Sequence, residues 1–187
     1  NFAELTTTTD KWSDTENSDP MDDVSVAIDA VEEATGERPS IMIVSKKTMN
    51  YLKQNKKIKS AVLAQNTTAN VFMTDARVKE LFSTELGISI IVYTKQYKDE
   101  SGTAHKFYPD GFATLIPNGA LGSTWYGTTP EERTLMGNPA TDVRLVNTGV
   151  AVAVSVSEDP VQTKTTVSEI VLPSYERMDS TYVIKCY

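Results

Sequence analysis

Met21, Val24, Ile28 and Val31 recur at helical spacing through SDPMDDVSVAIDAVEEATG, with Ala27 and Ala34 alongside. Asp19 stands where an N-cap belongs, and Pro20 suits the first helical position. Asp22 and Asp23 fall in the first turn, where the helix dipole favours acids, and Gly36 fits the left-handed stop. The spacing predicts a helix of about four turns, apolar on one face and acidic on the other. SIMIV (40–44) is short, apolar and β-branched, the pattern of a buried strand. SKKTMNYLKQN reads as a helix capped by Ser45, with Met49 and Leu52 inward, and KKIKSAVLA continues it or forms a turn of its own. QNTTAN is loop. TDARVKELFSTELG carries a stripe of Val78, Leu81, Phe82 and Leu86 between a Thr74 cap and Gly87. ISIIVYTK (88–95) is again a buried strand, and YKDESGTAHKFY reads as a hairpin tip. Strand, helix, helix, strand in that order predicts a sheet flanked by helices.

FATLIP is a strand that Pro117 ends, and TTPEE is a helix start with Thr129 as cap and Glu132 completing a capping box. Between them NGALGSTWYG holds three glycines and the Trp125–Tyr126 pair, and reads as a long ordered loop. Its aromatics either pack on their own core or meet another subunit, where Trp and Tyr are enriched. Beyond residue 140 the pattern turns to strands: GVAVAVSVS, a turn at EDPVQ, TKTTVSEIVL, and TYVIKCY with Tyr182, Ile184 and Cys186 on one side. This tail needs something to pack on, and the acidic helix is the expected partner. Residues 38–140 would then be an insertion in a domain built from both ends of the chain.

Composition narrows the function. Apolar residues make up 40% of the 187 and charged residues 23%, enough for a packed core. Net charge is −7, which argues against a surface that grips nucleic-acid phosphates. Residues 1–37 hold eleven acids against Lys11, while 38–64 hold seven bases and no acid. These are either two solvated faces or complementary faces of neighbouring copies. Cys186 is the only cysteine, so no intrachain disulfide forms. No run reaches the ~18 apolar residues a membrane span needs. The opening NFAELTTTTD lacks an initiator methionine and a secretion signal, which points to a processed or trimmed chain.

Candidate chemistry is sparse. His105, the single histidine, sits near a hairpin tip and is expected in solvent. Cys186 alternates with Tyr182 and Ile184 and reads as a small buried hydrophobe. One histidine and one cysteine make no His/Cys metal cluster. Gly119, Gly122 and Gly127 lack the basic follower of a phosphate loop, and DPMDD lacks the hinge glycine and terminal glutamate of a calcium loop. No carboxylate pair stands out among the surface acids.

The order of these motifs is what resembles a known family. Trp12 precedes DP and the acidic helix ending at TG; a capped helix closes with ELGI before a second strand. Then come YPDGFATLIPNGALGSTWYGTTPEE, an NTG strand, EDPVQTKTTVSEIVLP and a short final strand. From about Trp12 to Tyr187 this resembles the major capsid protein E family of tailed phages and prophages, the lambda-type head proteins. The resemblance implies an α+β chain of the Hong Kong 97-type capsid fold. A peripheral domain starts in residues 1–36 with the spine helix, an axial domain of a sheet flanked by helices fills 37–142, and peripheral strands return in 143–175. A closing strand lies in 176–187, where it can rejoin the axial sheet. It also implies subunit contacts around the capsomer axes, with Trp125, Tyr126, Thr128 and Thr129 in one candidate group and Lys98 and Gly102 in another. Family members carry an N-terminal arm and extended loop before the spine helix; with only eleven residues ahead of Trp12, those parts are expected to be trimmed or lost.

The expected protein is a non-enzymatic shell subunit with no cofactor and no metal. Its partners are copies of itself in pentamers and hexamers, scaffold or decoration proteins, and packaged DNA held without specific binding, with no membrane. It belongs in the virion, and in host cytoplasm during assembly. The rival readings are an encapsulin-like shell protein, a small α+β enzyme using carboxylates within 107–132, and a ligand-binding or adhesin module built on the β-rich tail.

Overall fold

A computed structural model describes residues 1–187 except 66–71, 136–141, 148 and 159. The chain is mixed α+β and divides into two compact units, residues 1–119 with 177–187, and residues 120–176.

The first unit is organised on a five-stranded sheet. Its order is β1 (Phe2–Glu4), β12 (Tyr182–Lys185), β6 (Phe112–Ile116), β2 (Ile41–Ser45), β3 (Ser89–Tyr93). β2 and β3 are parallel, which requires a crossover; α2 (Lys46–Gln54), α3 (Lys56–Gln65) and α4 (Asp75–Leu86) supply it. Register sets the core. Ile90, Met42, Leu115 and Tyr182 form one row across four strands, and Val92, Val44, Ala113 and Ile184 the next. Met49, Leu52, Val78, Leu81 and Phe82 from α2 and α4 join the same buried cluster. So do Val24, Ala27 and Ile28 of α1 (Pro20–Thr35).

The helix ends follow their sequence signals. Asp19 Oδ1 accepts from the Asp22 N–H at 3.3 Å, and Gly36 at φ 70° donates to the Glu32 carbonyl. Ser45 caps α2 and Thr74 caps α4 in the same manner. α3 is a separate helix: the Asn55 side chain accepts from the Ile58 N–H at 3.1 Å and caps it. The expected loop QNTTAN lies almost wholly outside the described residues, as does Asp159 in the expected turn EDPVQ.

Residues 1–19 run along this unit as a strap. β1 pairs in parallel with β12 at the sheet edge, and the Trp12 N–H donates to the Cys186 carbonyl at 2.9 Å. The Trp12 ring is fully buried, and its Nε1–H donates to Asp23 Oδ2 at 2.8 Å. Cys186 N–H in turn donates to the Gly111 carbonyl at 2.7 Å. Gly111 sits at φ 90°, and a Cβ there would lie 3.0 Å from the Tyr187 carbonyl, so glycine is required.

The second unit holds β7 (Gly122–Tyr126) paired with β11 (Val171–Tyr175), and a three-stranded sheet ordered β10 (Val161–Glu169), β9 (Val150–Glu158), β8 (Asp142–Asn147). Helix α5 (Pro130–Leu135) packs against β8 and β9.

Two expectations are corrected here. NGALGSTWYG is not a long loop: residues 122–126 form β7, antiparallel to β11, with Trp125 opposite Leu172. A Cβ at Gly122 would lie 1.9 Å from the Ser174 carbonyl, so only glycine admits this pairing. The two compact units meet at 119/120 and 176/177. β1 pairs with β12, and the apolar side of α1 joins the buried cluster that holds Ile184 and Cys186 of the tail, while β9, β10 and β11 find hydrogen-bond partners among themselves, β7 and β8. Second, part of the acidic–basic complementarity is met inside one subunit: Lys57 bonds Asp19 at 2.8 Å, Arg38 bonds Glu32 at 3.0 Å, and Lys56 lies 3.2 Å from Glu16. Exposed pairs of this kind each contribute little.

Two carboxylates in this unit respond to pH in opposite senses. Burial raises the Asp23 carboxyl above its ordinary range; the Trp12 indole opposes the rise, and Asp19, Asp22 and Asp10 add to it. Its ionised form therefore costs stability that grows as pH climbs above about 4. Asn at 23 keeps an acceptor for the indole, so Asp23→Asn gains on the wild type toward pH 7 and matches it at low pH. Asp75 is bonded by Lys46 Nζ at 2.6 Å and Lys53 Nζ at 2.9 Å, which holds its carboxyl at about 2 and staples α2 to α4. That stability is present above the unfolded value and lost as pH falls toward 2. Asp75→Asn is expected to cost less than about 1 kcal/mol at pH 7, the pair being partly solvated, with the gap closing in acid. Urea unfolding of both variants between pH 3 and 7 checks the two slopes.

Candidate assembly surfaces

The hairpin of β4 (Gln96–Lys98) and β5 (Ala104–Lys106) has every strand residue exposed, yet its tip is closely bonded. Asp99 Oδ1 accepts from Ser101 Oγ at 2.6 Å and from the Thr103 N–H at 2.8 Å. Asp99 Oδ2 meets His105 Nε2 at 2.8 Å, and the Asp99 N–H donates to the Thr103 carbonyl at 3.0 Å. The Ser101 hydroxyl, then His105 and the Thr103 N–H, hold the Asp99 carboxyl down at about 2. Gly102 takes the turn at φ 83°. Phe107, Tyr97 and His105 form an exposed ladder on the ribbon, with ring centroids 4.9 and 5.4 Å apart. Lys98 and Gly102 are both exposed at this tip.

Trp125 and Tyr126 lie on β7 with Trp125 63% exposed, and Thr128 is exposed beside them. Thr129 differs from its expected role as a contact. Its side chain is buried, and its hydroxyl accepts from the Glu132 N–H at 3.2 Å, so it serves as the cap of α5. The structure thus groups Trp125, Tyr126 and Thr128 in one unit, and Lys98 with Gly102 in the other. Sequence reasoning missed the aromatic ladder. The signal was present in the pairing of Tyr97 with His105 about the SGT turn.

The groups that chemistry would use are held otherwise. Cys186 is fully buried, and burial pushes its thiol far up. His105 is exposed, as expected, and engaged by Asp99. A cleft of about 190 Å³ is lined by Ser45, Lys46, Tyr93, Thr94, Lys95, Gln96, Lys106 and Asp110. Two of its lysines are paired, Lys46 with Asp75 and Lys106 with Asp110, each at 2.6 Å. Among the described residues no three His, Cys, Asp or Glu side chains gather to hold a metal, and no helix is long and apolar enough to cross a membrane.

Residues 3–185 match the family profile of phage major capsid protein E. The chain belongs to the phage major capsid protein E family. That membership makes it a structural protein. Two solved structures are similar in fold. A phage-related protein from Bordetella bronchiseptica RB50 aligns with a TM-score of 0.59 at 16% identity, over 98% of this chain and 55% of that one. A prophage protein assigned as a capsid protein, from Escherichia coli CFT073, aligns at 0.62 and 18%, over 95% of this chain and 50% of that one. The chain therefore spans about half the length of these solved relatives. No curated protein matches it.

The hairpin tip yields a direct expectation. Asp99→Ala removes three side-chain bonds. Local opening should become easier by about 1 kcal/mol or more, so the Gly102 and Thr103 amides should exchange several-fold faster. The global unfolding midpoint should stay put, because the hairpin contributes nothing to the buried cluster.

Proposed function

We propose that this protein is a subunit of the head shell of a tailed phage or prophage, closing with copies of itself into an icosahedral container around packaged DNA. The observation that carries the reading is the family match over residues 3–185. The fold is read as Hong Kong 97-type, with α1 as the spine helix. The axial domain is read as residues 37–142, a sheet flanked by helices, and the five-stranded sheet with α2, α3 and α4 supports that reading. The long strands within 143–175 are the peripheral return, and β12 is the closing strand, paired with β6 and β1.

Assembly is the mechanism. Each subunit makes several weak contacts in fixed geometry, and closure makes them collectively strong. Lys98 and Gly102 on the bonded hairpin tip, with Trp125, Tyr126 and Thr128 on β7, are the proposed contacts about the five-fold and six-fold axes. An exposed aromatic held by rigid backbone loses little entropy when a neighbour covers it. A net charge of −7 suits a wall that encloses DNA without gripping it. Assembly would take place in host cytoplasm, with scaffold or decoration proteins as further partners, and the product would be the virion.

Electron microscopy of the full-length protein after expression tests this. Closed particles are expected. A monodisperse monomer at high concentration would overturn the reading. Trp125→Ala with Tyr126→Ala should abolish particles while circular dichroism still reports a folded chain. Glu131→Gln with Glu132→Gln should leave particles intact, whereas an enzyme using those carboxylates would lose its activity.

A further inference from the structure

Asn118 and Gly119 follow β6 and end the longer segment of the first unit. Of the chain's asparagines only Asn118 precedes a glycine. Both residues are exposed, and Gly119 turns at φ 99°, a conformation that suits glycine. Neither the Asn118 carboxamide nor the Gly119 N–H has a hydrogen-bond partner among the described residues. The carbonyl of the peptide bond between them is engaged: Arg177 Nη1 donates to it at 3.3 Å, and Nη2 of the same guanidinium bonds Glu37. A cation on an amide oxygen draws electron density from the amide nitrogen. When the Gly119 nitrogen loses its proton, the charge is shared with that oxygen, so the guanidinium favours the deprotonated peptide. An unbonded carboxamide thus stands one residue ahead of an accessible, acidified N–H, with no Cβ on the second residue to crowd the approach.

Three other steps show what protection looks like. Asn17 Nδ2 donates to Asp14 Oδ2 at 2.9 Å, and the following Ser18 N–H donates to the Asp14 carbonyl at 3.2 Å. Asn55 is buried against Ser18, and the Lys56 N–H donates to the Thr15 carbonyl at 2.8 Å. Asp110 also precedes a glycine, but Gly111 is buried. Lys106 Nζ, 2.6 Å away, holds the Asp110 carboxyl below the usual carboxylate range, in the ionised form that resists a nucleophile.

We propose that Asn118–Gly119 is a site of self-modification, at which the Gly119 nitrogen attacks the Asn118 side chain and converts it to a carboxylate. The bond formed joins Gly119 N to Asn118 Cγ and closes a cyclic imide. The bond broken is Cγ–Nδ2, and that nitrogen leaves as ammonia with the proton Gly119 gave up. Water then opens the imide at either carbonyl, giving aspartate or isoaspartate. Water is the sole co-reactant. Either product adds a negative charge on the residue whose carbonyl Arg177 holds, where it competes with Glu37 for the guanidinium. The isoaspartyl product also lengthens the main chain where it leaves the first unit. A folded subunit therefore carries a covalent record of its age, whether or not it builds a shell.

Peptide mass spectrometry of the folded 187-residue chain, aged in mildly alkaline buffer and digested in acid, tests this. The Asn118 peptide is expected to exchange amide mass for acid mass through a transient species lacking ammonia, faster as pH rises, with isoaspartate among the products. Asn118 should convert at least as fast in the folded chain as in urea, whereas folding should slow Asn17 by about tenfold or more. Asn118→Gln, which would have to close a larger ring, should show no conversion at 118. Arg177→Met should slow conversion several-fold in the folded chain and leave the urea rate unchanged, with Asn17 and Asn55 still protected as proof of fold. A folded chain whose Asn118 stays amidated while the urea-unfolded chain converts would overturn the proposal, since the fold would then shield this step like the others. Equal rates at Asn17 and Asn118 in the folded chain would overturn it too. A rate in Arg177→Met equal to or above that of the wild type would overturn the role given to the guanidinium.

Discussion

Trp12 is the point on which the first unit closes. Its ring fills the core, its indole N–H bonds the first turn of α1, and its backbone N–H bonds the carbonyl of Cys186. One residue thus ties together the strap, the acidic helix and the last strand. Without it β1 would have little reason to lie along β12, since a pairing of three residues is weak by itself. The neighbouring bonds are of the same kind: Asn55 holds the Ser18 carbonyl and hydroxyl, and Lys56 N–H holds the Thr15 carbonyl. Helix, strap and closing strand stand or fall together.

Local elements were largely legible in the chain. α1, α2 and α4 carry caps and left-handed glycines that can be read a residue at a time, and β2, β3, β6 and β12 announce themselves by β-branched runs. What failed was long-range pairing. β7 looks like loop because Gly119, Gly122 and Gly127 punctuate it, and nothing nearby reveals that residues 171–175 will pair with it. The glycines that argued against a strand include the one that makes the pairing fit. The packing of the β-rich tail was legible only for its last strand, which shares a buried cluster with α1. An apolar helix face advertises that it needs cover, and sequence does not say which cover it finds.

The candidate surfaces were legible in part. Trp125 and Tyr126 were flagged by residue type, and both are exposed. Thr129 stands among the candidates by its place in the family's motif order, and it is a buried cap, a role its own TTPEE context already gave it. Family membership, by contrast, rests on motif order along nearly the whole chain and on no single site.

The shape of the hairpin tip is determined by Asp99 and its ring of donors, independently of the hydrophobic interior. Evolution can therefore rewrite this turn without renegotiating the fold beneath it. A change between Lys98 and Ala104 would alter what a neighbour meets at the end of this two-stranded stem while the interior stays as it is.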